Sequence, residues 1–436
     1  MQLKKNKRWL LSRAVGSLLG VQSGTSEAEW QIEAAYRYYS ETDRVTAMEP
    51  VLQLHKVDDE GRKLDVTIAY DSLSGASPNG AAVSEKPQTF TSTSGGAASV
   101  SSASGAAYKD DDNDEDYDDD EYEGEGGGKT SEYTVAPGEV PLDPNFEDSR
   151  LSMSMNYSWP LNSNVNRNIT TSIGGSYSRE TDYSSIGVNG GFSIFLNQKN
   201  TQIGLFLGME SDEITPGGGT PLAFTAMSDK QITGSTENKN IVDGLVSVTQ
   251  VLSKQAVMQL NYSMSISNGY HTDPYKIISL LDEQGDVQDY LYENRPEKRT
   301  KQSIYGALKY HLFGNTVDVS YRYMWDDWGV KSDTWDVKYR FNIDDVYIQP
   351  HFRNYSQKAT DFYVDSLLST DDLPQFASAD YRLGALSSNT VGVKFGWVFD
   401  ENKEVSLRVE SYQQEGDSAA ADMGALILQV NYKVAF

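Results

Sequence analysis

The chain contains no cysteine. That excludes a disulfide scaffold, a thiolate zinc site, an iron–sulfur cluster, c-type haem attachment and a lipidated N-terminal Cys. Basic residues are few beside acidic ones: 37 Lys+Arg stand against 63 Asp+Glu, a formal net charge of -26. A nucleic-acid partner needs a basic stripe, so no nucleic acid is expected here. Past the N-terminus there is no apolar run of the ~18 residues that a membrane-spanning helix requires. Histidine is rare too: His55, His271, His311 and His351 are the full set. None belongs to a metal-ligand pair, and neither G-x-S-x-G nor H-E-x-x-H occurs.

What is present is 436 residues with 27 tyrosines, enough for two or three soluble domains or one large barrel. Lys4, Lys5, Lys7 and Arg8 form a positive n-region. Trp9 to Val21 is a weakly apolar segment interrupted by Arg13, and Ser26-Glu27-Ala28 puts small residues where a signal peptidase reads. Residues 1–28 are expected to be a cleaved secretory signal, with the mature chain starting near Glu29.

Beyond residue 29 the sequence alternates with period two. Leu426, Leu428, Val430, Tyr432, Val434 and Phe436 share one face, and Gln429, Asn431 and Lys433 the other. That is a strand with one apolar face. A strand that ends on Phe436 resembles the terminal signal by which outer-membrane barrels are recognised for assembly. The pattern recurs in Val391, Val393, Phe395, Trp397 and Phe399, in Trp335, Val337, Tyr339 and Phe341, and in Trp30, Ile32, Ala34, Tyr36 and Tyr38. Many apolar sets begin or end in an aromatic residue, as interfacial girdles require.

Sixteen strands are predicted at 30–40, 45–57, 62–73, 149–160, 167–180, 184–196, 201–212, 240–253, 255–268, 300–313, 315–327, 331–343, 345–357, 389–400, 402–414 and 424–436. The eighth is ambiguous because neither of its faces is cleanly apolar, and the count carries a range of fourteen to eighteen. Every second connection is short, and the longest others are 74–148, 213–239, 269–299 and 359–388. The expected fold is an all-β transmembrane antiparallel barrel, residues 29–436, with short periplasmic turns, long external loops and both termini periplasmic.

Residues 80–140 are a low-complexity external loop. Within it, twelve acidic residues lie between Asp110 and Glu125. Such a run cannot bury a core and repels itself. Asp110, Asp112, Asp114, Asp116, Asp118 and Glu121 fall at EF-hand ligand spacings, which makes loosely bound Ca²⁺ the candidate metal. Glu115 stands where the sharp turn needs Gly, and any dense Asp run meets that spacing by chance.

With the apolar faces outside, Arg322, Lys338, Arg340, His351, Arg353 and Arg408 line the lumen, joined by Lys394 and by Asp318, Asp336, Glu404 and Glu410. A sixteen-strand interior is too wide for side chains to fill. A local excess of Arg would favour polar or anionic solutes. The alternative is a structural network on the inner wall, since confined charges pair. His271 and Asp273 share a predicted external loop, but no nucleophile joins them, and no enzymatic activity is expected.

Tyr270-His271-Thr272-Asp273-Pro274-Tyr275-Lys276, Glu293-Asn294-Arg295-Pro296, Tyr321-Arg322-Tyr323-Met324-Trp325-Asp326-Asp327-Trp328-Gly329, Gln349-Pro350-His351-Phe352-Arg353 and Ala377-Ser378-Ala379-Asp380-Tyr381-Arg382-Leu383 are landmark segments. On them the chain resembles an uncharacterised Gram-negative outer-membrane family, catalogued as a domain of unknown function. The resemblance spans nearly all of the mature chain and implies an outer-membrane β-barrel. It also implies genes nearby for a small lipoprotein, a thioredoxin-like protein and a flavin transferase. Asp71-Ser72-Leu73-Ser74-Gly75-Ala76-Ser77 is similar to the acceptor motif of covalently flavinylated redox proteins, with Ser77 as the FMN acceptor where Thr is more usual. The other reading of that segment is a tight turn ending the third strand.

The expected function is a pore or conduit in the outer membrane of a Gram-negative bacterium, for polar or anionic solutes or for a partner. The alternative is the accessory barrel of an extracytosolic flavin-linked electron-transfer system. A third reading is a structural or adhesive barrel displaying the acidic loop. Expected partners are outer-membrane lipids and lipopolysaccharide, the barrel-assembly machinery and a small lipoprotein.

Overall fold

The computed structural model describes residues 29–92, 131–161, 168–400 and 402–436. The expected signal segment and the acidic calcium tract lie outside the described residues. Sixteen antiparallel strands close into one barrel. In chain order they are β1 Glu29–Glu41, β2 Thr46–Val57, β3 Lys63–Pro78, β4 Leu142–Pro160, β5 Ile169–Arg179, β6 Tyr183–Leu196, β7 Thr201–Ile214 and β8 Glu237–Val251. The second half is β9 Ala256–Gly269, β10 Lys298–Leu312, β11 Asn315–Asp326, β12 Lys331–Ile343, β13 Val346–Gln357, β14 Leu386–Asp400, β15 Lys403–Gly416 and β16 Met423–Ala435. Each pairs with its sequence neighbours, and β1 pairs with β16 from Gln31 opposite Ala435 to Glu41 opposite Ala425. Trp30 and Phe436 finish the seam with two backbone hydrogen bonds of 2.9 and 2.8 Å. Closure satisfies every ladder group and leaves no edge strand.

The period-two pattern faces as expected. Ile186 and Val188 are 63 and 62 % exposed on the outside of β6, Leu207 and Met209 59 and 63 % on β7. A water-soluble protein does not display such continuous apolar surface. Phe341, Trp397 and Phe399 ring the short-turn end, and Tyr70, Tyr177 and Trp335 the long-loop end, all pointing outward. These are the two interfacial girdles of a membrane barrel. The short turns are tight: Phe313 and Gly314 both take left-handed backbone angles.

The ambiguous strand, β8, has a physical explanation. Its outward Val242 and Val246 meet the apolar exterior. Inward, Leu245 pairs opposite Phe206 of β7. The inner wall there holds an apolar patch, so both faces of β8 carry large residues.

Two boundaries differ from expectation. β3 runs on to Pro78 and β4 begins at Leu142, so residues 74–78 are strand rather than turn. The continuation is irregular, with a register shift between Gly75 and Ser77. Gly75 has φ +135°, and a Cβ there would lie 2.4 Å from the Arg44 carbonyl oxygen. Only glycine fits that backbone.

The described parts of the long loops carry pairing of their own. Val287–Tyr292, Ile277–Leu281 and Ser366–Leu368 form a three-stranded sheet. Gln88–Ser92 pairs with Ser131–Val135, and Thr220–Pro221 with Ile232–Gly234. Two small cores hold this layer together. Phe90, Val135, Ile277 and Tyr292 form one, and Ile278, Ala377 and Ala379 the other. The loop between β9 and β10 reaches across the mouth: the Ile277 N–H donates to the Asn79 carbonyl at 3.0 Å, just past β3. β3 stands six strands from β9 in a ring of sixteen.

Candidate functional site in the lumen and its mouth

The nominated lumenal residues do come together, on the inner faces of β11, β12, β13 and β15. His351 is the hub. Its Nε2 lies 2.9 Å from Asp336 Oδ2 and its Nδ1 2.7 Å from Glu410 Oε1. Lys338 Nζ is 2.7 Å from Asp336, and Arg408 Nε 3.8 Å from Glu410. Glu410 sits on β15 and His351 on β13, so the contact must pass over β14. Gly392 is the residue between them. A Cβ there would sit 2.4 Å from Glu410 Cγ.

The same device recurs one step along. The Tyr347 ring, 2 % exposed, lies across Gly396 of β14. Its hydroxyl donates to Glu404 Oε1 of β15 at 2.6 Å. The Arg340 guanidinium stacks 3.4 Å from the ring centre. Arg340, Lys338, His351 and Arg408 are therefore tied into the wall. Arg322 and Arg353 are exposed to the lumen and make no ion pair among the described residues. Sequence reasoning missed Tyr347, Gly392 and Gly396. The available signal was two glycines of the same inward parity, four residues apart.

Inward parity gives the charge of each wall. On β10 to β12 it turns Arg299, Lys301, Lys309, Arg322, Lys338 and Arg340 inward. Arg353, Lys394, Arg408 and Lys433 follow on β13 to β16. Against these ten bases stand five acids, Asp318, Asp326, Asp336, Glu404 and Glu410, a surplus of five positive charges. The facing wall is the reverse. β1 to β3 contribute Glu33, Glu41, Glu49, Asp65 and Asp71. Asp148, Glu210, Asp212, Glu237 and Asp243 follow on β4 to β8. Arg37, Lys63, Arg150 and Lys239 are the bases there, so ten acids exceed four bases by six. The same wall holds a recess of about 320 Å³ lined by hydroxyls of Thr67, Ser152, Ser154, Ser176, Ser178 and Ser185, with Arg150, Glu180 and Glu210 beside them.

Over the mouth, three of the landmark segments meet in one buried ionic cluster. Glu293, 1 % exposed, accepts from the Asp273 N–H at 2.7 Å and from the Ser378 hydroxyl, with Arg295 Nε at 2.6 Å. Asp380, also 1 % exposed, takes Arg295 Nη2 at 2.9 Å and Arg382 Nη2 at 2.6 Å. Arg382 reaches on to Asp273 at 2.9 Å. Burial pushes the Glu293 carboxyl up to about 7, against the pull of Arg295. Burial would raise Asp380 as well, but Arg382 and Arg295 flank it and hold it well below the usual carboxylate range. Lys276 is buried, which lowers its ammonium, and its Nζ donates to the Pro78 carbonyl. Asp326 clamps Arg299 at 2.5 Å, and that guanidinium stacks on Trp328 at 4.3 Å. The loop layer is thus pinned to the basic wall and to the end of β3.

The remaining candidates fall elsewhere. Asp71 is on the acidic wall, 2.5 Å from Arg150 Nη2. Ser77 is half-buried at the end of β3, opposite Asp143. Pro78 and Gly80 line a cavity of about 280 Å³ within the loop layer, together with Lys276, Asp380 and Tyr381. His271 does not face Asp273. Its Nδ1 donates to the Gly269 carbonyl at 2.8 Å, leaving Nε2 to accept from Ser267 at 2.7 Å.

A closed barrel with an apolar exterior and a charged interior defines a transmembrane β-barrel of sixteen strands. Residues 10–433 match the family described as "Protein of unknown function (DUF3570)", and the chain belongs to that family. No curated protein matches the chain. Among solved structures it is similar to the outer membrane protein opdK of Pseudomonas aeruginosa, at 8% identity and a TM-score of 0.38, covering 94% of this chain and 99% of that one. OpdO of the same organism gives 8% and 0.39, covering 94% and 96%. The monoaromatic hydrocarbon channel CymD gives 6% and 0.41, covering 97% and 91%. Likenesses this distant say nothing about what passes through the lumen.

Proposed function

We propose that the protein is an outer-membrane pore for polar solutes, entered through the loop layer over its external mouth. The observation that carries this reading is the division of the wall into an apolar outside and a charged, hydroxyl-rich inside. Sixteen strands enclose more space than side chains fill, and an interior of this polarity holds water. Lipids and lipopolysaccharide contact the aromatic girdles, and the barrel-assembly machinery inserts the chain. The surplus of Arg and Lys on β10 to β16 is balanced across the lumen, so the solutes are polar rather than anionic. Recording in planar bilayers tests the pore. Discrete conductance steps support it, and a flat trace from correctly folded protein rejects it.

A second reading shares the architecture: the accessory barrel of an extracytosolic flavin-linked electron-transfer system, with a small lipoprotein as partner. It is supported by the Asp71–Ser77 motif and by the cavity beside it. In the closed barrel the Ser77 backbone is paired and its side chain half-buried. A transferase would have to reach it before the wall closes.

A further inference from the structure

The two walls of the lumen carry opposite surpluses of nearly equal size, five positive charges against six negative. We propose that the lumen selects small zwitterionic solutes, those bearing an ammonium and a carboxylate together, over ions of one sign and over uncharged polyols. This rests on the pore reading and names its solute class.

Two physical consequences follow from the charge census. The lumen as a whole is nearly neutral, so it concentrates neither cations nor anions. Across its width, however, a field runs from the β10–β16 wall to the β1–β8 wall, and such a field aligns a dipole. Each end of an aligned zwitterion then meets its counter-charge. Arg322 and Arg353 are exposed on the basic wall without an ion partner among the described residues, and a guanidinium fork matches a carboxylate. On the acidic wall, the recess offers Glu210 and Glu180 among serine and threonine hydroxyls, which accept the N–H groups of an ammonium, while Arg150 beside them is paired with Asp71 at 2.5 Å. Gly187 keeps that recess open: a Cβ there would lie 2.5 Å from Ser176 Oγ. A polyol gains hydrogen bonds on either wall but nothing from the field. A simple cation is drawn to one wall and repelled by the other.

Swelling of proteoliposomes tests this with threonine and erythritol, a zwitterion and a polyol of similar size. The folded protein is expected to admit threonine several-fold faster than erythritol, and its reversal potential in a KCl gradient to stay near zero. Arg322→Glu with Arg353→Glu is expected to bring threonine down to the erythritol rate and to make the pore cation-selective. Arg322→Gln with Arg353→Gln, the milder pair, is expected to fall between. Equal rates for the two solutes in the wild type, or strong selectivity for one ion sign, overturn the inference and leave the pore standing. Folded protein that admits neither solute overturns the pore and this inference with it.

Discussion

Replacing Gly396 by alanine tests the cross-strand joints of the basic wall. The new Cβ would stand 2.0 Å from Tyr347 Cε1 and 2.1 Å from Cζ. The ring cannot yield upward, because Arg340 lies 3.4 Å above its centre. It must swing off the wall. That breaks the hydrogen bond to the Glu404 carboxylate, which contributes about 1.5–3 kcal/mol for a charged acceptor. It also loses the Arg340 stack, about 0.5–2 kcal/mol. The expected cost is therefore about 2–5 kcal/mol. Urea unfolding of the barrel in lipid vesicles, followed by tryptophan fluorescence, reads it directly. Tyr347→Phe keeps the ring and should lose only the hydrogen-bond part. In a Tyr347→Ala background, Gly396→Ala should cost less than about 0.5 kcal/mol, since the steric conflict is gone. An equal cost in both backgrounds, or none in either, would refute the joint.

Other outcomes follow from the same geometry. His351→Ala leaves Asp336 and Glu410 without their shared donor and should cost about 1–3 kcal/mol in the same unfolding assay; stability equal to wild type would show the hub to be idle. The loop layer should weaken with alkalinity. Glu293 has a folded value near 7 against 4.5 for the free group, so its contribution is complete below pH 4.5 and is lost as pH rises through about 7. Proteolysis of the loops at pH 5 and pH 8 checks this, and Glu293→Gln should flatten the difference. The intact mass of protein from native outer membranes reports two expectations together. A start near Glu29 shows signal cleavage. A mass higher by one FMN and lost in Ser77→Ala supports the redox reading, whereas an unmodified mass from cells with an active flavin transferase removes it.

Much of the barrel was legible because lipid imposes a strict rule. Every second residue of a spanning strand must be apolar, and a chain that obeys this in strand after strand declares both its strands and its parity. Parity in turn places Arg322, Lys338, Arg340, His351, Arg353 and Arg408 on one inner wall. Legibility stopped where that rule stops. β8 was unclear because Leu245 packs beside Phe206 inside. The outer ends of β3 and β4 were hidden because Ser74-Gly75-Ala76-Ser77-Pro78 has turn composition, and only its partner strand makes it extended. The loop layer was illegible because its bonds join distant residues: Lys276 to Pro78, and Arg295 to Asp380. The acidic wall escaped notice because its carboxylates are thinly spread, no more than two to a strand, with none on β5 or β6.

Single-channel recording of the folded protein, beside an Asp380→Ala variant, tests the central claim most directly. Asp380 joins Arg295 to Arg382 and so pins two loops together over the mouth. A water-filled lumen under a pinned loop layer predicts discrete steps for the wild type, and larger or longer openings for the variant. Flat traces from both proteins, each shown to be folded by heat-modifiable mobility, would mean that the lumen is closed and that the account is wrong.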